Sequence, residues 1–321
     1  NFVYNSPRNQ DVDKWDIRTD WTVTDQDNLS FRFSKHDLLN PVALTLPPPA
    51  YAGGFDWETS GINTGLTWNR VWTPTIVTSV RTGWNYGLFL RDNPSQTNGE
   101  LLNAKYGITG GSMTNPGGFS IQSISGYTTV GIGAFNPVDR NSQNSQLVGD
   151  LSWAVNNHNV KFGANLLHSQ NNIFNISHNI GSHTYNARYT DDGMADFLLG
   201  MASQWRWHYG INVNLRQKLY GFYVQDDWKI TPKLTLNLGV RYEILLPWVD
   251  TKDRMGIYDI TTDVNDPRLI YGGEEGDDIY NLAMYALDKN NFMPRLGFAY
   301  QRNDKTVIRG GYGIFYAYME P

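Results

Sequence analysis

Five side chains carry charge at positions where charge needs polar surroundings: Arg32, Arg81, Arg241, Glu243 and Arg295. Groups of this kind either pair with one another and with a polypeptide filling, or line the path of a polar solute. A second set, Trp205, Trp207, His208 and Tyr209, has the ring chemistry to stack on a sugar or peptide, or to sit as interfacial aromatics at the start of a strand. Glu274-Glu275-Gly276-Asp277-Asp278 and Asp263-Val264-Asn265-Asp266 offer oxygen ligands for calcium. Neither has the spacing of a regular calcium loop, so a solvated acidic loop is the plainer reading and no cofactor is expected. His168, His178 and His183 share one region without metal-ligand spacing, which favours solvated loop histidines and no metal. Arg309-Gly310-Gly311-Tyr312-Gly313 has the look of an RNA-binding segment. Without basic surroundings it reads better as a strand whose glycines lie beneath neighbouring aromatic rings. No nucleophile elbow, phosphate-cradling glycine loop or defensible Ser-His-Asp grouping is present, so no enzyme is expected.

The elements that would position the five charges are strands. Residues 219–245, LYGFYVQDDWKITPKLTLNLGVRYEIL, hold two alternating runs joined across 229–233. In the second run Leu234, Leu236, Leu238, Val240, Tyr242 and Ile244 share one face, and Thr235, Asn237, Gly239, Arg241 and Glu243 share the other. A greasy face opposite a small, polar, charged face suits a membrane-spanning barrel, with lipid on one side and a polar interior on the other. The same period recurs over 14–23, 29–36, 62–72, 76–88, 145–154, 160–168, 292–300 and 306–316, giving about ten strands in five hairpins. Within them Arg32, Arg81 and Arg295 take the same polar face as Arg241 and Glu243. Short turns close each hairpin, and four long segments, about 37–61, 91–140, 171–212 and 247–290, separate them. That asymmetry is expected of short periplasmic turns and long extracellular loops. Residues 191–202, DDGMADFLLGMA, read as a short helix within a loop or as a loop segment packing its apolar residues on the rim. Trp72, Trp228 and Trp248 stand at strand ends, where an aromatic girdle would lie.

Composition agrees. Mean hydropathy is −0.46, a soluble-looking value that misleads for barrels because only every second strand residue meets lipid. No apolar run approaches the roughly 20 residues of a membrane helix. Aromatic content is 14%, with 11 Trp and 19 Tyr, as girdles require. Cysteine is absent, which removes disulfides, thiolate catalysis and cysteine-bound metal. The net charge of −5, without a basic cluster, argues against nucleic acid. No signal peptide precedes Asn1, so the sequence reads as a piece of a longer exported chain.

At this level the residues resemble a known family. FYVQDDWKITPKLTLNLGVRYE, NNFMPRLGFAY and KTVIRGGYGIFY, together with WDIRTDWTVTDQDNLSFRFS and DGMADFLLG, resemble the barrel of TonB-dependent outer-membrane receptors, within them the Oar-like group. The resemblance implies an all-β transmembrane antiparallel barrel of 22 strands, of which residues 1–321 form one central part. It also implies an N-terminal carboxypeptidase-regulatory-like domain and a plug lying outside this sequence. Implied partners are outer-membrane lipid and lipopolysaccharide, and a TonB–ExbB–ExbD complex acting through the plug. Transport of a bulky or scarce solute, inward or outward, is the leading expectation. A structural or adhesive barrel displaying its loops is the second, and a soluble carbohydrate-binding β-protein the third. The third demands that Leu236, Leu238 and Val240 be covered by a second protein layer.

Overall fold

In the computed structural model, the described residues are all of 1–321 except 1–2, 5–7, 42, 48–49, 51–55, 93–100, 110–118, 132–134, 179, 209, 261–263, 275–282, 285 and 318–321. Ten long strands form one antiparallel sheet. They are β1 (Asp11–Thr22), β2 (Asp27–Asn40), β3 (Asp56–Thr73), β4 (Ile76–Asp92), β6 (Phe135–Val155), β7 (His158–Ser177), β10 (Ile211–Thr231), β11 (Leu234–Leu245), β15 (Phe292–Asn303) and β16 (Thr306–Gly313). Each pairs with the next in that order, and the two-residue β12 (Val249–Asp250) adds to β10. No crossover interrupts the series, and β1 and β16 remain unpaired on their outer sides among the described residues.

The hairpin turns are short, and local chemistry closes them. Between β1 and β2 the Thr24 hydroxyl accepts from the Asp27 backbone N–H at 3.0 Å and donates to Asp27 Oδ2 at 2.7 Å. The β6–β7 turn is Asn156-Asn157, with Asn156 at φ +50°, a conformation that asparagine accepts more readily than most residues. Pro74 and Pro232 begin the β3–β4 and β10–β11 turns, where a missing N–H costs no ladder bond.

Register fixes the two faces. Leu236 lies opposite Trp228 and Phe298, and Val240 opposite Val224 and Pro294. On β6 and β7, Leu151 faces Phe162 and Leu147 faces Leu166. The apolar residues expected to share a face do share it, and among the described residues no protein layer covers them: Phe222 is 49% exposed, Leu296 56% and Phe162 43%. In water such a surface would be untenable; in a bilayer it is the solvated side. Hence the soluble-module expectation fails. The glycine expectation for β16 holds at Gly310, where a Cβ would fall 2.6 Å from the Phe298 ring.

The strands are longer than their apolar alternation. The sequence places strands over 145–154 and 160–168, whereas β6 and β7 run Phe135–Val155 and His158–Ser177, and β10 begins at Ile211. At about 3.3 Å per residue, 21 residues reach about 70 Å, far past a hydrocarbon core about 30 Å thick. The face that carries Trp153, Leu151 and Leu147 near the turns continues as Ser145, Gln143 and Asn141. There an amide ladder replaces grease: Asn172 Nδ2 donates to Asn141 Oδ1 at 2.7 Å, and Arg216 Nη1 to Asn172 Oδ1 at 2.9 Å. His168 lies within β7, at the end of the stretch the sequence places in a strand, and not in a loop.

Two of the long connections fold together on the loop side. The segment between β4 and β6 carries α1 (Leu102–Lys105) and β5 (Ile121–Ile124). The segment between β7 and β10 carries β8 (Ser182–Tyr185), α2 (Gly193–Leu198) and β9 (Gln204–Arg206). β5 and β8 pair in parallel, β9 adds antiparallel to β8, and Leu44 of the β2–β3 connection joins Leu102 and Ile180 in a small core. The short helix foreseen near 191–202 is present. Asp192 caps it by accepting from the Ala195 N–H at 2.8 Å. Its exposed end shows Leu198 and Leu199 at 75% and 66%, so these residues do not pack on the rim. The fourth connection carries a hairpin of β13 (Gly256–Asp259) and β14 (Arg268–Tyr271).

His183 corrects an expectation. It is not a solvated histidine: it is 8% exposed, with Nδ1 accepting from Gln122 Nε2 at 3.2 Å and Nε2 donating to the Thr109 carbonyl at 3.1 Å. Burial holds its pKa below the usual 6.5, partly offset by the Thr109 carbonyl. Beside it, Asn103 links the Ile180 carbonyl to the Ser120 N–H, both at 2.9 Å. The small apolar core of this loop cluster is thus supplemented by satisfied buried polar groups.

Candidate functional site

The polar face is the candidate site, and register assembles it. A belt crosses β4, β6, β7, β10 and β11. Arg81 forms an ion pair with Asp150, and Tyr223 Oη donates to Asp150 Oδ1 at 2.5 Å. Tyr223 reaches Asp150 across the intervening strand because Gly163 stands between them. A Cβ at Gly163 would lie 2.7 Å from the tyrosine ring and 2.8 Å from the Asp150 carboxylate. Arg241, directly opposite Tyr223, pairs with Glu243, whose side chain is 10% exposed. Three of the five charges expected from the sequence, Arg81, Arg241 and Glu243, therefore fall in two neighbouring groups of one belt, Arg81 with Asp150 and Tyr223, and Arg241 with Glu243.

Arg32 stands apart, on β2 directly opposite Arg18 of β1. Like charges facing across strands repel, and carboxylates relieve the pair. Arg18 Nε meets Asp20 at 2.9 Å and Arg32 Nη2 meets Asp16 at 3.5 Å. Arg295 lies at the far side on β15, its guanidinium 4.8 Å from the centre of the Phe315 ring. Between the groups the wall is carpeted with small and amide residues. A cavity of about 440 Å³ opens over Gly61, Asn63, Asn85 and Gly87, with Lys14, Asp16 and His36 along one side.

The aromatic candidates are elsewhere. Trp205 is in β9, paired with His183 of β8 and 51% exposed, and Trp207 follows the same strand. Both belong to the loop cluster and not to a girdle at the start of β10, because the chain forms a separate small strand before Ile211. Tyr209 lies outside the described residues, as do Asp263 and 275–278 of the acidic segments; Glu274 accepts from the Tyr271 N–H at 3.1 Å. Among the described residues no group of three or more His, Asp or Glu side chains is placed to hold a metal ion. Trp72 and Trp228 lie at the short-turn rim as expected of a girdle, Trp72 with its indole donating to Thr78 Oγ1 at 3.0 Å. Trp248 sits between β11 and β12, on the loop side.

Asp150, Tyr223 and Gly163 were not singled out from the sequence. Strand parity would have placed Asp150 and Tyr223 on the polar face, but the bond between them spans 73 residues and passes over a third strand.

Comparison with known proteins places this arrangement. The profile of the family described as an outer membrane beta barrel domain matches residues 1–321. No curated protein sequence matches the chain. Among solved structures, the chain is similar to the alcaligin outer membrane receptor FauA of Bordetella pertussis, at 11% identity and a TM-score of 0.51 over 92% of this chain and 34% of that one. It is also similar to the ferripyoverdine receptor of Pseudomonas aeruginosa, at 11% identity and 0.53 over 95% and 35%. A third is the copper transporter OprC, at 14% identity and 0.53 over 97% and 38%. At these identities the likeness is one of fold. The chain spans little more than a third of each of these proteins.

Proposed function

The chain belongs to the outer membrane beta barrel domain family and resides in the outer membrane; from that premise we propose that it is part of a TonB-dependent receptor barrel of the Oar-like group, moving a bulky or scarce solute across that membrane. The observation that carries this reading is the serial ten-strand sheet with short turns at one end, long loops at the other, and an apolar face opposite a charged one. Solved relatives in fold include receptors and a transporter, and none of those named above is an enzyme. On this reading the polar face looks into the lumen, its Arg and Glu residues line or brace the solute path, and energy arrives from TonB–ExbB–ExbD through a plug.

A second reading, a barrel that displays its loops, has one observation in its favour: the loop cluster is folded and presents Leu198, Leu199 and Trp205 to solvent. Deleting TonB separates the two. Solute uptake lost with TonB supports transport, and uptake indifferent to TonB supports display. In either case the full-length protein extracted in detergent should migrate differently on gels before and after boiling; unchanged mobility would refute the barrel itself.

A further inference from the structure

Resting on the transport reading, we infer that the solute class selected by this wall is anionic, carrying carboxylate or phosphoryl groups. The chain as a whole has a net charge of −5, yet its polar face is cationic. Arg18, Arg32, Arg81 and Arg241 each have a carboxylate partner. Beyond these, register puts Lys14, Arg140, Lys161, Lys229, Arg295 and Arg309 on the same face. None of the six makes an ion pair among the described residues. Against them stands one further carboxylate, Asp227, and it is already held by Asn237 Nδ2 at 2.6 Å and Gln225 Nε2 at 3.3 Å.

The missing acid is on the other face. Asp11, Asp13, Asp56, Glu58 and Asp139 all point away from the polar wall, in the strand extensions beyond the apolar band. The polar wall thus carries an excess of cations, whereas on the opposite face, where Lys35, Arg70, Arg216 and Lys218 also lie, acids are in excess. Like charges gathered on one polar wall repel one another and raise the local concentration of anions. A neutral solute would draw nothing from this arrangement, and a cationic one would be opposed by it.

The test uses the full-length protein purified in detergent, with the trianionic dye pyranine as probe and fluorescence anisotropy as readout. Saturable binding is expected, displaced by citrate or inorganic phosphate and not by glucose; which of the two anions displaces better tells carboxylate from phosphoryl preference. Arg295→Gln and Arg309→Gln should each weaken binding about threefold and together about tenfold, as for single charges several ångström away in water. Lys252→Gln, on an outer loop, should leave it unchanged. Each variant is first checked for heat-modifiable mobility, so that a folding failure is not mistaken for lost binding. Absence of saturable binding by the wild type overturns the inference, and an acidic polypeptide filling the lumen would give that result. Equal binding by the double variant overturns it as well. The transport reading fails by a different measurement, unchanged uptake on TonB deletion, in which the dye takes no part.

Discussion

Single residues decide how the polar wall is braced. Tyr223 is oriented by Asp150 and admitted by Gly163, so two substitutions probe one contact from both ends. Tyr223→Phe removes one hydrogen bond while leaving Asp150 its Arg81 partner, and should destabilise by about 1 kcal/mol. Gly163→Val puts a side chain where the ring and the Gly149 carbonyl already sit, and should cost about 1–3 kcal/mol. Urea titration of the full-length protein in micelles, followed by tryptophan fluorescence, measures both. A valine variant as stable as wild type would mean that the ring does not cross that strand. At this scale the sequence yielded which residues are charged and on which face. It did not yield Asp150 as the shared partner of Arg81 and Tyr223, because partnership across three strands depends on register.

Elements behave according to the solvent each part meets. The face of β7 is apolar at Phe162 and amide at Gln170, two surfaces on one strand. An arginine at Phe162 should therefore cost about 2–4 kcal/mol if the site is near the bilayer midplane, and one at Gln170 about 0–1 kcal/mol, in refolding titrations into lipid vesicles. Comparable costs would remove the membrane boundary drawn here. Sequence reading found the apolar halves of these strands and missed the extensions, since an Asn/Gln ladder has no hydropathy alternation to detect. The loop cluster is an element of another kind, held by a buried neutral His183. With its pKa depressed in the fold, the unfolded segment takes up a proton more readily. The cluster's stability is thus complete above pH 6.5 and is lost as the pH falls below it. Protection of the β8 and β9 amides, taken as exchange relative to the intrinsic rate at each pH, should fall between pH 7 and pH 5, while β6 and β7 near their turns stay protected. His183→Gln should flatten that dependence; protection indifferent to pH in the wild type would contradict the burial of a neutral imidazole.

At the scale of the molecule, β1 and β16 leave open edges among the described residues, which hydrocarbon does not tolerate. Produced alone, residues 1–321 should fail to form a heat-modifiable species, whereas the full-length protein should form one; a stable, heat-modifiable segment would mean that it closes or self-assembles by itself. The alternation of Leu234, Leu236, Leu238 and Val240 against Asn237, Gly239 and Arg241, repeated through five hairpins with short and long connections in strict turn, was sufficient to determine the membrane-facing β-architecture. Local pattern suffices there because every second side chain must meet lipid, whatever its distant neighbours are. Tertiary structure alone decided which charges meet, how far the strands rise past the bilayer, that two long loops fold into one small sheet around His183, and that the polar face carries an excess of cations. Those outcomes depend on pairing between segments tens of residues apart, and no periodicity within a segment encodes its partner.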